Sequence, residues 1–187
     1  MLLTHQQRFI LEVLDKLGGA RLEQLFVMLR PVFCPEHPEI AQRVTEAAVR
    51  QMMHRNMAMR LDGDIVYLPG KKPEGIFLEA VDVMLELAVG KPVNYRRGDP
   101  PVILRFSVQE AKVRSFSVTT QGAELGGMQF QQTERIILLF DGQVKRRCLP
   151  VPNKQFFAVR QSDGTHRFYA ADGQFKGGIH HAEKESN

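Results

Sequence analysis

The chain has 187 residues, 25% of them charged and 43% hydrophobic, which is the composition of an ordinary globular protein and excludes a disordered one. Its net charge of +4 is spread evenly, with 10 Lys+Arg against 9 Asp+Glu in residues 1–75 and 15 against 12 in residues 76–187. Neither half has the basic excess that would by itself demand nucleic acid, so the charge balance permits a DNA partner without requiring one. Cys34 and Cys148 are too few and too far apart for a disulfide framework. No apolar run reaches the roughly 18 residues of a spanning helix, and Met1 to Thr4 leads directly into a helical pattern with no room for a signal peptide. The expectation is a cytoplasmic protein with no membrane contact.

Thr4 and Gln7 have the spacing of a capping box, and Phe9, Ile10, Val13, Leu14 and Leu17 then recur at the helical period until Gly18-Gly19 ends the helix. A second helix is expected over Arg21 to Leu29, burying Leu22, Leu25, Phe26 and Leu29. Pro31, Pro35 and Pro38 predict an extended connection, because proline restricts itself and the residue before it. The third helix can begin at Pro38, where the missing N–H costs nothing, and it is expected to reach Met57. At about 100° per residue, Ala41, Val44, Ala48 and Met52 form its core stripe. Arg43, Ala47, Arg50, His54 and Met57 line the opposite side, with Glu46 beside them. Two Arg and a His around a small Ala suit a helix that enters a major groove. The same pattern also describes any solvated helix face.

Met59–Leu61 and Ile65–Leu68 flank Asp62-Gly63, a strong hairpin signal. Three helices followed by a tight hairpin is the order of a winged helix-turn-helix, expected over residues 1–75. Asp62 and Asp64 at the hairpin tip oppose a simple DNA reading, since a wing that meets phosphates favours Lys or Arg. Lys71 and Lys72 follow the second strand and offset them.

After the stiff joint Pro69–Pro73, the helical period returns over Ile76–Val89, either closing the first domain or forming a homodimer seam. The stretch 90–101 is rich in Gly, Pro and charge and reads as a joint, so residues 76–100 are expected to be a linker helix and joint. Short strand patterns then follow at Val102–Val108, Val113–Thr119, Ile136–Phe140, Phe156–Val159 and Phe168–Ala170, punctuated by Asp141-Gly142, Asp163-Gly164 and Asp172-Gly173. Gly122–Thr133 could hold only a poor helix. Residues 101–175 are therefore expected to be a small β-rich α+β domain, and residues 176–187 a flexible tail.

Asp99, Glu110 and Lys112 imitate the acidic-x-Lys pattern of metal-dependent nucleases. Asp99 and Glu110 are separated by an extended strand, on the order of 30 Å at about 3.3 Å per residue, too far to share a metal. Cys34 and His37 lack the further ligands that a structural zinc needs, and His180 and His181 fall in the tail. No cofactor or metal is expected. Lys145-Arg146-Arg147 and Arg96-Arg97 are local basic clusters that could meet a phosphate backbone or simply water.

The order of elements, together with HQQRFILEVLDKLGGARLEQL at the start and ERIILLFDG and FFAVRQSDG in the second half, resembles the replication-relaxation type winged-helix proteins of plasmids and mobile elements. That resemblance implies a role on DNA in element replication or transfer, and a second domain similar to a degenerate restriction-endonuclease-like fold. It carries no catalytic residue onto this chain. The leading expectation is a non-enzymatic protein that binds double-stranded DNA through Arg43, Arg50, His54, Lys71 and Lys72. A protein-protein interaction adaptor built on the same winged helix is the alternative, and a metal-dependent nuclease the third reading.

Overall fold

In the computed structural model, which describes residues 2–55, 59–124, 130–140 and 147–171, the chain is mixed α+β. Among those residues it has four α-helices, a three-stranded sheet and a six-stranded mixed sheet. It divides into two compact units, Met1–Val81 and Asp82–Asn187.

In the first unit, α1 (His5–Leu17) starts on the capping box that the sequence predicts. The Thr4 hydroxyl accepts the Gln7 N–H at 3.2 Å, and the Gln7 side chain accepts the Thr4 N–H at 3.1 Å. Gly18 closes the helix at φ +80, a left-handed conformation open to glycine. Gly19–Arg21 then forms a strand, β1, where the sequence predicts only a helix end. Its place is set by a partner distant in sequence, the strand of residues 65–67. A Cβ at Gly19 would lie 2.7 Å from both the Tyr67 Cβ and the Pro73 Cδ, so glycine is what lets the two strands approach.

Helix α2 (Leu22–Phe33) runs through Pro31, contrary to the expected extended connection. Pro31 lies in the last turn, where the lost N–H bond is followed by little further helix. Beyond it the Cys34 N–H still donates to Arg30 O at 2.9 Å, and Phe33 packs edge-on against Phe9 with ring centroids 5.6 Å apart. Leu25, Met28 and Leu29 are buried, while Leu22 and Phe26 are only half-buried. A 3-10 turn over Pro38–Ile40 leads into α3 (Ala41–His54), which starts later than the expected Pro38. Its interior face is Ala41, Thr45, Ala48, Val49 and Met52, with Val44 half-buried rather than central. Thr45 can lie inside because its hydroxyl donates to Ala41 O at 2.8 Å.

Strands β2 (Arg60–Asp62) and β3 (Ile65–Tyr67) form the predicted hairpin, and β1 completes an antiparallel sheet of order β1-β3-β2. Asp62 pairs with Ile65, so the loop residues are Gly63 and Asp64 rather than Asp62 and Gly63. Gly63 takes φ +60, matching the two-residue loops that place Gly first.

Helix α4 (Gly75–Ala88) contains the division between the units, after Val81. In the second unit, β4 (Val93–Arg97) lies within the stretch 90–101, which the sequence predicts to be a joint without strands. It pairs with β5 (Leu104–Gln109), followed by β6 (Val113–Thr120), β7 (Arg135–Phe140), β8 (Gln155–Arg160) and β9 (His166–Ala170). The sheet keeps sequence order, with β6-β7 and β7-β8 parallel and the other pairs antiparallel. Ile136, Leu138, Phe140, Leu149 and Phe157 form its core on one face of β7 and β8. On the other face Phe106 stacks on Phe116 at 5.1 Å, and Glu86 of α4 accepts the His166 N–H at 3.0 Å with its other oxygen 2.9 Å from Nδ1. The stretches 125–129, 141–146 and 172–187 lie outside the described residues, and with them Asp141-Gly142, Asp172-Gly173 and the tail.

Candidate functional site

With Ala41, Thr45, Ala48, Val49 and Met52 inside, the helical period turns Arg43, Ala47, Arg50 and His54 outward, and all four are exposed. Met57 lies outside the described residues. Glu46 modifies this face. Its Oε2 lies 3.4 Å from the Arg50 guanidinium and its Oε1 accepts from the Gln42 amide at 3.0 Å. Arg43 makes no ion pair among the described residues, so α3 presents one unencumbered guanidinium and one shared with a carboxylate.

Lys71 and Lys72 follow β3 and are exposed. Lys72 pairs with Asp62 across the hairpin, and the hydrogen bond to that carboxylate raises its pKa. Asp64 at the tip stays exposed. Arg43, Arg50 and His54 thus share one helix face, while Lys72 spends its charge within the hairpin.

The residues weighed for catalysis do not come together. Asp99 lies in the turn before β5, its carbonyl accepting the Val102 N–H at 2.9 Å, and Glu110 lies past the far end of that strand, paired with Arg114 at 2.8 Å. Cys34 is buried, and His37 is exposed beside Glu39 at 3.2 Å. Among the described residues no three His, Cys, Asp or Glu side chains form a metal-binding group. Of the cluster at 145–147 only Arg147 is described, and it is exposed. His180 and His181 lie outside the described residues.

A second site was not expected as such, although its Arg96 belongs to the Arg96-Arg97 cluster that the sequence singles out. On β4, β5 and β6 the sheet carries a cleft of about 190 Å³ whose polar lining is Asn94, Arg96, Arg105, Ser107, Ser115, Gln131 and Glu134. Antiparallel register sets Arg105 opposite Ser117 and Ser107 opposite Ser115, and Arg96 opposite Arg105 on the other side. Glu134 is only 4% exposed and fully engaged. Oε1 accepts from the Ser117 hydroxyl and from Arg105 at 3.4 Å, and Oε2 accepts the Gln131 N–H at 3.0 Å. The Ser107 and Ser115 hydroxyls lie 3.2 Å apart. The Arg105 guanidinium also sits over the Phe130 ring at 5.9 Å. The available signal was the alternation Arg-Phe-Ser-Val at 105–108 against Ser-Phe-Ser-Val at 115–118, which places polar residues of adjacent strands on one face. Comparison with models of known families, with curated proteins and with solved structures returns no match for this chain.

Proposed function

We propose that residues 1–75 form a winged helix-turn-helix and that the protein is a non-enzymatic DNA-binding protein, with α3 entering the major groove and the β2–β3 hairpin as the wing. The element order α1-β1-α2-α3-β2-β3, with its sheet of order β1-β3-β2, supports this reading. The observation that carries it is the exposed row Arg43, Ala47, Arg50 and His54, opposite a buried Ala41–Met52 face. Arg43 reaches bases or phosphates, Ala47 admits the DNA backbone close to the helix, and Arg50 exchanges Glu46 for a phosphate. Lys71 adds a phosphate contact beside the wing.

The test is binding of the full chain to duplex DNA over a salt series. Arg43→Ala with Arg50→Ala should lower affinity and flatten the salt dependence by about one unit of slope for each phosphate that is no longer neutralised. Unchanged affinity and slope in the double variant would show that another surface binds. An adaptor that binds protein is the second reading, favoured by the pairing of Lys72 with Asp62, which leaves the hairpin tip acidic at Asp64. Salt-dependent DNA binding abolished by the α3 substitutions would exclude it as the main activity.

A further inference from the structure

We infer that the cleft on β4–β6 of the second unit binds the phosphate group of a small molecule. This rests on different residues from the DNA reading and stands apart from it. A binding site for an oxyanion needs more donors than the protein itself consumes, gathered where water is partly excluded. The cleft gathers such donors around buried Ser107 and Glu134, with Asn94, Arg96 and Gln131 at its open side. The one carboxylate in its lining, Glu134, is buried and already takes hydrogen bonds from Ser117, Arg105 and the Gln131 N–H, so its charge is answered within the fold.

The surrounding donors are not consumed in this way. Arg96 makes no ion pair or hydrogen bond among the described residues, although it lies directly across the strand pair from Arg105. Arg105 already shares its charge with Glu134, so the cationic charge left over at this strand pair is that of Arg96. Arg105 gives one N–H to Glu134 and retains others, because a guanidinium carries five. The Ser107 and Ser115 hydroxyls share one hydrogen bond, which leaves one of their two protons to donate elsewhere. The Asn94 and Gln131 amides line the same space without a side-chain partner among the described residues.

Asn94 also takes φ +50, a left-handed conformation that costs energy in a residue with a side chain. It sits where the β4–β5 register shifts between Val93 and Arg96, and it lines the cleft. Donors thus come from three strands and one turn, a spread that suits the tetrahedral oxygens of a phosphate better than a planar carboxylate. The volume of about 190 Å³ exceeds what a free phosphate fills and leaves room for an attached organic group.

The experiment is calorimetric titration of the full chain at constant ionic strength with inorganic phosphate, a sugar phosphomonoester and citrate. Saturable binding of the monoester with a dissociation constant of about 1 mM or tighter, and weaker binding of inorganic phosphate, is the expected result. Citrate binding more tightly than either would overturn the assignment to phosphate. Arg96→Ala should weaken binding about tenfold, the usual effect of losing a hydrogen bond to a charged group. Asn94→Gly, which suits the positive φ while removing the amide, should weaken it less. Arg160→Ala removes an exposed charge outside the cleft and should leave it unchanged. Arg96 is exposed and unpaired among the described residues, so its truncation spares the fold, which a matching melting temperature checks. Absence of saturable binding, or equal binding by Arg96→Ala and the parent, overturns the inference. So does binding of a single-stranded oligonucleotide without binding of either phosphate probe.

Discussion

Glu46 governs how much of the α3 surface is basic. Its ion pair with Arg50 joins side chains 34% and 74% exposed, and pairs this open are worth at most about 1 kcal/mol in water. A phosphate can therefore displace it at small cost. Arg43, which forms no ion pair among the described residues, needs no exchange and should dominate any contact. Asp163 is a charge whose role is local. Its carboxylate accepts the Thr165 hydroxyl at 2.6 Å and the Thr165 N–H at 3.0 Å, bracing the turn between β8 and β9. The side-chain and then the backbone hydrogen bond from Thr165 hold its pKa below 3.8. A carboxyl with a depressed folded pKa contributes stability above its unfolded value and loses it as the pH falls through the folded one. The brace should thus be intact at neutral pH and released only on the acid side of 3.8. Following the Thr165 amide by NMR from about pH 6 to about pH 2 should show that transition, and Asp163→Asn should abolish it. A titration near the ordinary carboxylate value would mean that Thr165 does not hold the charge.

At the scale of elements, two glutamines at the third helical position each tie a helix start to another element. Gln7 accepts the Thr4 N–H and donates to the Gln51 side chain of α3 at 3.2 Å. Gln24 accepts the Arg21 N–H at 2.9 Å and donates to Leu78 O of α4 at 2.7 Å. Both are buried, so each fixes a helix start and a helix neighbour at once. Thr4→Ala should cost about 1 kcal/mol as the loss of a cap, and Gln7→Ala roughly twice that because the tie to α3 goes as well. Urea denaturation of both variants decides the matter, and equal costs would show that the Gln51 bond contributes nothing.

The capping box of α1 was legible in the sequence because all its residues lie within one turn. The Gln24 tie was not, since Leu78 is 54 residues away. The same distinction separates the strands. β7 announces itself as an apolar run, whereas Gly19–Arg21 has no strand character of its own and becomes β1 only by pairing with residues 65–67. β4 hides in a stretch whose Gly and Pro read as a joint, and it too depends on its partner, β5. The cleft was invisible for a related reason. Arg105, Ser107, Ser115 and Ser117 look like the solvated side of two strands until their register places them together around Glu134. The exposed row on α3 could be seen because a helix carries its whole face in one segment.

At the scale of the whole molecule, α4 is common to both compact units. Residues up to Val81 belong to the first, where the Leu78 carbonyl receives the Gln24 amide. Residues from Asp82 belong to the second, where Glu86 takes both the backbone N–H and the ring of His166. Each unit therefore uses a polar group of the same helix to answer a buried one of its own. Fragment 1–74 would leave the Gln24 amide without the Leu78 carbonyl, and fragment 89–187 would leave His166 without Glu86. Each loses a hydrogen bond of about 0.5–3 kcal/mol, and removing α4 also removes the apolar burial of Phe77, Leu78, Val83 and Met84. Domains have only about 5–15 kcal/mol of stability in all, so losses of this size are large. Fragments 1–88 and 75–187, which both retain α4, should unfold in urea with steep cooperative transitions, and the fragments without it should unfold at lower urea or with broadened transitions. If fragment 1–74 matched fragment 1–88 in midpoint and slope, α4 would be a connector for the first unit and the Gln24 bond incidental to its stability.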